Sequence, residues 1–556
     1  MYEPSRKVVQ TAYEKNFKQN ISSLPSFERL KKICSVMREK VDLQLGQDRP
    51  SLTTAMHPKK LFTFFVCSCC VSVILIVFGT LLICFTHIIY EAILKGNLVL
   101  QPGSSAFQVW VKNPVPLYLK LYLFNWTNPK DINNHTIKPH FQKIGPYTFY
   151  ETKEKTNITW NNNNTVTYKN MKKWWYVPEK SNGTLADTVI SVNPVAFSAA
   201  YTVRDFHFIV KKTFSGVLSS MVQTVEAVRP VGDVLFDGYT DALLSIAAKL
   251  PFLSKNNIPN MDKFGWFYGR NGSEDFDGEF NIDTGRSDGK IGELERWKFQ
   301  EHTPYYPGKC GRFDGASAGD FFPGNLKKDS IVKMFSSDLC RYVELEFAEE
   351  VMIHGITGYK FIAGQKFLDN GTKVPENKCF CDGDCMPSGA LNVSNCRHGS
   401  PAFVTLPNYY SADPYYTRHI EGVVPDKERD EFYMIFEPKT GIPLEVAARL
   451  QLNLRIQPIP GVALYRDLPT VFFPVLYFEQ HVLLPEDMTM SIKLLVHFEI
   501  ICLAVGVFCI SAGLLAQFCL CYKACNTKLI QRKASKRRNE LEDRSIKEQV
   551  PLKRWD

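Results

Sequence analysis

Two long apolar stretches, one near each end of the 556-residue chain, constrain its architecture more than any other feature. The first runs from Leu61 to about Tyr90 and the second from Leu494 to about Tyr522. Each exceeds the roughly 20 apolar residues that a helix needs to cross a bilayer. Because the first stretch follows a basic segment of some 60 residues, it is typical of an uncleaved anchor rather than a signal peptide. The sequence therefore predicts two membrane spans, at 61–90 and 494–522.

The distribution of charge predicts which side of the membrane each segment occupies. Residues 1–60 contain 12 Lys and Arg against 6 Asp and Glu, and residues 523–556 contain 11 against 5. Each tail carries a net charge of +6, which leaves −3 for the rest of the chain. Basic residues next to spans mark the cytoplasmic side, where they face an anionic leaflet. Both tails are thus predicted to be cytoplasmic, and the overall basicity does not indicate a nucleic-acid partner.

Glycosylation acceptors agree with an extracellular or lumenal domain over residues 91–493. The N-x-[ST] motif occurs eight times between the two spans. These predicted glycosylation sites are Asn125, Asn134, Asn157, Asn163, Asn182, Asn271, Asn370 and Asn392. A ninth motif, at Asn20, falls in the predicted cytoplasmic tail and is interpreted as a chance match.

The cysteines divide into groups with different predicted chemistry. Six lie in the middle domain: Cys310, Cys340, Cys379, Cys381, Cys385 and Cys396. An even number in an oxidising compartment predicts three disulfides, with 15 possible connectivities, and a zinc site around CFCDGDC is the alternative. A second group lies at the cytoplasmic ends of the spans: Cys67, Cys69, Cys70, Cys519, Cys521 and Cys525. S-palmitoylation is typical of that position, although a small apolar cysteine is also simply acceptable in lipid.

The middle domain alternates apolar and polar residues in many short runs, such as KIGPYTFYETKEK and ITGYKFIAG. Such alternation predicts half-buried strands, here mostly antiparallel. From Pro194 to about Val228 the apolar spacing instead predicts a helix, and a second helical run follows from about Gly238 to Leu250. The apolar stripe of that first helix comprises Val203, Phe206, Val210, Phe214, Val217, Met221 and Val225. Residues 194–250 are therefore predicted to form a helical subdomain within a β domain.

Several long motifs in one order resemble the class B scavenger receptors. They include VPLYLKLYLFNWTNP, KIGPYTFYETKEK, KFGWFYGRNG, FFPGNLKKDSIVKMFSSDLCRYVELEF and FEPKTGIPLEVAARLQLNL, and the cysteine-rich run from Lys378 also matches. The resemblance covers nearly everything from Phe107 to the second span. It implies an α+β fold, in which an antiparallel β-barrel with an apical helical bundle encloses a hydrophobic tunnel leading to the membrane. It also implies disulfides that pair Cys310 with Cys379, Cys340 with Cys396, and Cys381 with Cys385.

The apical helix carries the candidate ligand-binding residues. Arg204, His207 and Lys211 follow an i, i+3, i+7 spacing that places three potential cations on one helix face, and Lys212 adjoins them. The resemblance implies that such an apex binds lipoproteins, acidic lipids or other anionic particles, and an ordinary solvated face is the alternative.

Other motifs point away from catalysis and cofactors. The run GASAG around Ser317 matches the G-x-S-x-G nucleophile elbow, but it lacks the preceding strand and following helix that an elbow requires. The chain is therefore predicted not to be an enzyme and to need no metal or cofactor. His497 and Glu499 lie at the outer end of the second span, where a structural or oligomer-contact role is expected.

These features together predict a cell-surface scavenger receptor that passes apolar lipid through its tunnel to the membrane. An endolysosomal receptor that binds and escorts a protein is the alternative, and self-association is left open.

Overall fold

The computed structural model describes residues 58–247, 262–286, 290–381 and 383–548. The chain divides into two compact units, one formed by residues 81–506 and the other by residues up to 80 together with those from 507 onward. The predicted N-terminal tail, 1–60, lies almost entirely outside the described residues.

The two apolar stretches form the longest helices. The candidate spans within them, Phe65–Leu94 and Phe498–Asp543, are long enough to cross a membrane and each contains a strongly apolar window. The two long helices come close together at Gly513, within the unit that contains residues 58–80. If Gly513 carried a Cβ atom, that atom would lie 2.6 Å from the Ile76 side chain and 2.8 Å from the Ser72 carbonyl oxygen. Small residues permit such close approach of helices in membranes.

Within the residues that the structure describes, the helices α1 to α9 are Pro58–Leu98, Ser105–Val111, Pro194–Thr202, Phe208–Met221, Ala242–Ala247, Gln365–Leu368, Lys427–Asp430, Glu486–Val496 and Phe498–Glu548. A π-helical turn spans Asp233–Asp237. Short 3-10 turns span Pro129–Asp131, Pro178–Lys180, Gly308–Gly311, Pro375–Phe380, Ser394–Arg397, Pro407–Tyr409 and Ala463–Tyr465.

The long helix of the second apolar stretch begins at Phe498, four residues after Leu494. Residues 494–496 belong to α8, a separate helix that ends at Val496 with His497 as its C-cap. Leu495 of α8 lines a cavity in the folded domain.

The strands, β1 to β15, are Leu117–Trp126, Phe141–Trp160, Thr165–Tyr176, Thr188–Val192, Glu226–Pro230, Glu279–Asp283, Leu294–Trp297, Ile331–Ser336, Arg341–Ile353, Ile356–Ile362, Leu391–Asn392, Ala402–Thr405, Tyr433–Phe436, Pro443–Ile456 and Val471–Leu483. Thirteen of them form one antiparallel sheet in the order β7-β6-β3-β2-β1-β15-β14-β13-β10-β9-β8, with β12 on β14 and β11 on β12. The first and last strands are thus neighbours, and β4 and β5 form a separate ribbon.

A short segment nearly closes the sheet into a barrel, which confirms the predicted architecture. Ser317 bridges the two edges, since its N–H donates to the Lys333 carbonyl (2.9 Å) and its carbonyl accepts from Phe335 (2.7 Å), on the β8 side. On the β7 side, the Leu294 N–H donates to the carbonyl of Ala316 (2.9 Å). A backbone N–H or carbonyl of an edge strand that is paired in this way no longer faces solvent and is not available to pair with a strand of another molecule.

The predicted helix from Pro194 to Val228 is wrong in its extent. The structure has α3, a turn, and then α4, and residues 226–230 form β5, which pairs with β4. Asn193 Oδ1 caps the start of α3 by accepting from the Ala196 N–H (3.0 Å). The break coincides with a second helix start, where His207 is the N-cap of α4 and its Nδ1 accepts from the Ile209 N–H (3.4 Å). The second run contributes only α5 within the described residues.

Three disulfides tie the loops beside the barrel. They join Cys310 to Cys379, Cys340 to Cys396, and Cys381 to Cys385, which is the pairing that the family resemblance implies. The structure therefore has sulfur–sulfur bonds where the alternative hypothesis placed a zinc site.

Candidate functional site: an internal tunnel and an apical surface

A cavity of about 1590 Å³ occupies the interior of the barrel. It is larger than the roughly 300–1,000 Å³ of ordinary small-molecule pockets. Side chains alternate between the two faces of a strand, so every second residue of β14 and β15 faces inward. These lining residues are mainly apolar: Val446, Ala448, Leu450, Leu452, Leu476, Phe478 and Val482.

The cavity extends between two different ends of the domain. At one end it is lined by Leu94, at the close of the first apolar span, and by Ile492 and Leu495 of α8, directly before the second. At the other end it is lined by Ser400, whose hydroxyl lies 3.0 Å from that of Ser198 in α3. The cavity therefore has lining residues both beside α3 and at the ends of the two candidate spans.

The part of the wall that β2 and β3 provide is charged. Glu151 accepts from the Trp174 indole N–H (2.8 Å), and Lys172 pairs with Asp277 (2.8 Å). Asp338 accepts from Arg270 (2.9 Å).

The pKa of Asp338 shows how neighbouring positive charges stabilise the ionised form of a carboxyl in this wall. Burial by itself raises the pKa of a carboxyl, but Arg270, Arg397 and Lys172 outweigh it, so the pKa of Asp338 lies well below its usual range. The Asp338 carboxyl is thus ionised at neutral pH.

Lys153, Lys155 and Asp320 form a second charged group on the same wall. Lys153 Nζ lies 2.8 Å from one carboxylate oxygen of Asp320, and Lys155 Nζ lies 2.6 Å from the other. All three residues line the cavity. Sequence analysis missed this site, because the two lysines looked like the polar positions of an alternating strand.

Glu499 has partners within its own chain. Its carboxylate lies 3.4 Å from His87 Nδ1 and 3.2 Å from Lys439 Nζ. Lys439 also lines the cavity, so Glu499 joins the outer ends of α1 and α9 to the tunnel wall. His497 Nδ1 lies 2.9 Å from the Lys493 carbonyl oxygen, at the break before α9. Both residues therefore have contacts within the chain, and their structural or oligomer-contact role stays a prediction.

The four predicted apical cations do not share one helix face. Arg204 lies in the turn between α3 and α4, where its guanidinium stacks 3.7 Å from the centre of the Tyr201 ring and pairs with Asp205 (3.2 Å). Lys211 is half-buried and donates to the Arg204 carbonyl (3.2 Å). His207 and Lys212 are exposed, so the structure leaves these two accessible to a large ligand.

Helix α4 exposes three apolar residues of the predicted buried stripe, Val210, Val217 and Met221. Phe208 (59% exposed) and Ile209 (66% exposed), which lie outside that stripe, are also on the exposed face. The helix instead buries Ser215 and Leu218, and the Ser215 hydroxyl accepts from the Ala463 N–H (2.9 Å). The signal that could have found this face is Ser215 itself, a small polar residue that permits close packing.

Ser317 has a structural role in the barrel. It is buried, its hydroxyl donates to the Phe321 carbonyl, and the same oxygen accepts from the Gly319 N–H (2.9 Å). The segment bridges two strands and has no helix after it, unlike a nucleophile elbow.

The sequence matches the profile of the CD36 family over residues 70–524. This chain belongs to the CD36 family. Protein peste of Drosophila melanogaster is 37% identical over 432 residues, which are 77% of this chain and 76% of that protein. Scavenger receptor class B member 1 of Rattus norvegicus is 32% identical over 398 residues, which are 71% of this chain and 75% of that protein. Lysosome membrane protein 2 of Mus musculus is 30% identical over 428 residues, which are 75% of this chain and 86% of that protein. The resemblance to class B scavenger receptors is confirmed.

As a member of the CD36 family, the chain is a two-span membrane protein. Modification of its sequons stays a prediction, and the structure ranks them: five are exposed, while Asn125, Asn370 and Asn392 are half-buried. Of the cysteines predicted to be palmitoylated, Cys69 is half-buried and the others are exposed.

Proposed function

We propose that this CD36-family chain is a cell-surface scavenger receptor that binds lipoproteins, lipids or anionic particles at its apex and passes apolar lipid through the barrel. The cavity that runs from beside α3 to the ends of the spans carries this proposal. Exposing one CH₂ group to water costs about 0.8 kcal/mol, so an apolar passage spares a long chain a large penalty on its way to the bilayer. No bond is made or broken.

Docking is assigned to the apex, through Arg204, His207, Lys211 and Lys212. The exposed side chains of His207 and Lys212 are the ones that meet an anionic particle, while Arg204 and Lys211 support them through the turn. The chain outside the two tails carries a net charge of −3. A local positive surface at the apex would therefore steer anionic ligands towards it.

The alternative of an endolysosomal receptor that escorts a protein has less support. A protein escort needs a docking surface but has no use for a continuous apolar cavity. Lysosome membrane protein 2 is one of the relatives, and membership of the family is compatible with either location.

The test is to obstruct the tunnel without altering the apex. Ala448 of β14 lines the cavity, so Ala448→Trp should obstruct it, and Ala448→Ser should not. In receptor-null cells, we expect Ala448→Trp to bind labelled lipoprotein normally but to lose most transfer of its labelled lipid. Equal lipid transfer by the Trp variant, the Ser variant and the parent, at equal surface expression, would contradict the tunnel.

A further inference from the structure

Three exposed apolar side chains surround the place where the folded domain meets the second candidate span. Met352 is 64% exposed, Met490 61% and Leu494 57%. Met490 and Leu494 belong to α8, and Leu494 lies only four residues before Phe498, where the long helix α9 begins. Met352 lies next to the turn that joins β9 to β10. An apolar surface that water leaves exposed at this end of the domain is typical of a contact site.

The tip of the β9–β10 hairpin is held beside α8. Ile353 and Ile356 face each other across a two-residue turn, in which φ is 47° at His354 and 79° at Gly355. Positive φ at both residues matches the twist of the flanking strands and makes a tight tip. Ile356 belongs to the same buried cluster as Ile492 of α8, and Ile353 packs against that cluster. The tip is therefore fixed next to the last helix before the span, although it lies far from that helix in sequence.

The charges of α8 are distributed as a bilayer contact requires. If Gly355 carried a Cβ atom, that atom would lie 3.8 Å from Lys493 Nζ, so this lysine lies between the tip and α8. A lysine near a membrane extends its charged end to the head groups and leaves its methylene groups against apolar surface. The acidic residues of α8, Glu486 and Asp487, are in its first turn, at the end farther from the span. The part of α8 nearest the span is thus apolar and cationic.

We propose that Met352, at the tip of the β9–β10 hairpin, and Met490 and Leu494, on one face of α8, insert into the lipid leaflet on the side of the folded domain. Met490 and Leu494 are four residues apart and so lie on the same face of the helix. The bilayer itself is the occupant of this surface, because the candidate span that starts at Phe498 directly follows α8.

The depth of this contact follows from the chemistry of the tip. The side chains reach the boundary between head groups and acyl chains, as those of interfacial amphipathic helices do. The turn at His354 and Gly355 stays among the head groups, because the backbone N–H and carbonyl groups of a turn need hydrogen-bond partners that hydrocarbon does not supply. The hairpin thereby fixes one edge of the barrel to the membrane. This inference does not depend on which molecule occupies the cavity.

The experiment replaces one exposed residue at a time with the photoreactive amino acid benzoylphenylalanine. The full chain is placed in nanodiscs of radiolabelled phosphatidylcholine and irradiated, and the label attached to the chain is counted. Met352 and Met490 are the test positions. We expect each of them to attach several times more lipid than a control position that is equally exposed but distant from the membrane.

Val424 is the matched control. It is apolar and 72% exposed. Its neighbour Glu421 bridges to His140, at the end of β1 and β2 where Asn125 accepts from Ile190 of the β4–β5 ribbon, which leads into the apical helices. This position is therefore at the apical end of the domain.

Two outcomes would overturn the proposal. If position 352 attaches no more lipid than position 424, the hairpin does not reach the bilayer. If position 352 cross-links to a second copy of the chain in place of lipid, seen as a band of twice the mass, the surface is a contact between copies. All three replaced side chains are exposed, and surface delivery of each variant, measured beforehand, shows that the compared proteins are folded.

Discussion

At the scale of single residues, Lys155 links the charge of the tunnel wall to pH. Its pKa is about 7 in the folded protein and about 10.4 in an unfolded chain. Between these values the unfolded state holds more protons, so this residue makes the free energy of unfolding rise with pH. The contribution of Lys155 to the free energy of unfolding is fully present above its pKa in the unfolded chain. This contribution is lost as the pH falls through its pKa in the folded protein. Neither Asp320, whose pKa is held low, nor Tyr168, whose pKa is raised well above 10.0, titrates within this window.

We therefore expect the melting temperature of the parent, relative to that of Lys155→Met, to rise between pH 7 and pH 9. Differential scanning fluorimetry of the two purified proteins measures this difference in melting temperature at each pH. A difference that stays constant with pH would show that Lys155 keeps an ordinary pKa.

Lys212 tests the apical surface, because it is the exposed lysine of the predicted group. Lys212→Glu should lower binding of oxidised lipoprotein or phosphatidylserine vesicles several-fold at low salt, and less at high salt, as charges are screened over about 8–10 Å. Lys130→Glu, an identical charge change at another exposed position, should leave binding unchanged. Equal binding by both variants would mean that the apical cations are merely solvated.

At the scale of elements, the segment around Ser317 shows how a short stretch can decide whether a sheet closes. Ser317→Pro removes the N–H that bonds to Lys333 and should destabilise the domain by about 1–3 kcal/mol, reducing export. Ser317→Ala keeps the backbone bonds, so we expect a cost of about 1 kcal/mol and unchanged lipid uptake. Thermal denaturation and surface delivery measure both. Labelling of Ser317 by a fluorophosphonate would instead reveal a nucleophile.

At the scale of the whole molecule, the two spans and the charge of the tails determine sidedness. We expect antibodies to tail epitopes to bind only after permeabilisation, and glycosidase to increase the gel mobility of the parent. Replacing the exposed Asn134 and Asn182 with Gln should reproduce part of that shift in mobility. Asn125→Gln should have the smallest effect on gel mobility, because Asn125 is half-buried and accepts from the Ile190 N–H (2.8 Å). Tail epitopes accessible on intact cells would contradict the topology.

Sequence alone was sufficient for the features that depend on local composition or on long motifs. The spans follow from two stretches of about 30 mainly apolar residues, the strands from alternation, and the family from motifs that extend over most of the chain. Such signals are contained within one segment, so no knowledge of its neighbours is required. The helical apex was predicted as a region for the same reason.

The tertiary structure decided which face of each helix or strand is buried. In α4 the apolar residues follow helical spacing, yet Ser215 faces the turn at Ala463, 248 residues later, and Phe208 and Ile209 remain exposed. Likewise, Lys155 meets Asp320 across 165 residues, and Ser317 reaches strands on both of its sides. Contacts of this range depend on how the strands pair and how the barrel closes, and the period of a single segment contains no information about either.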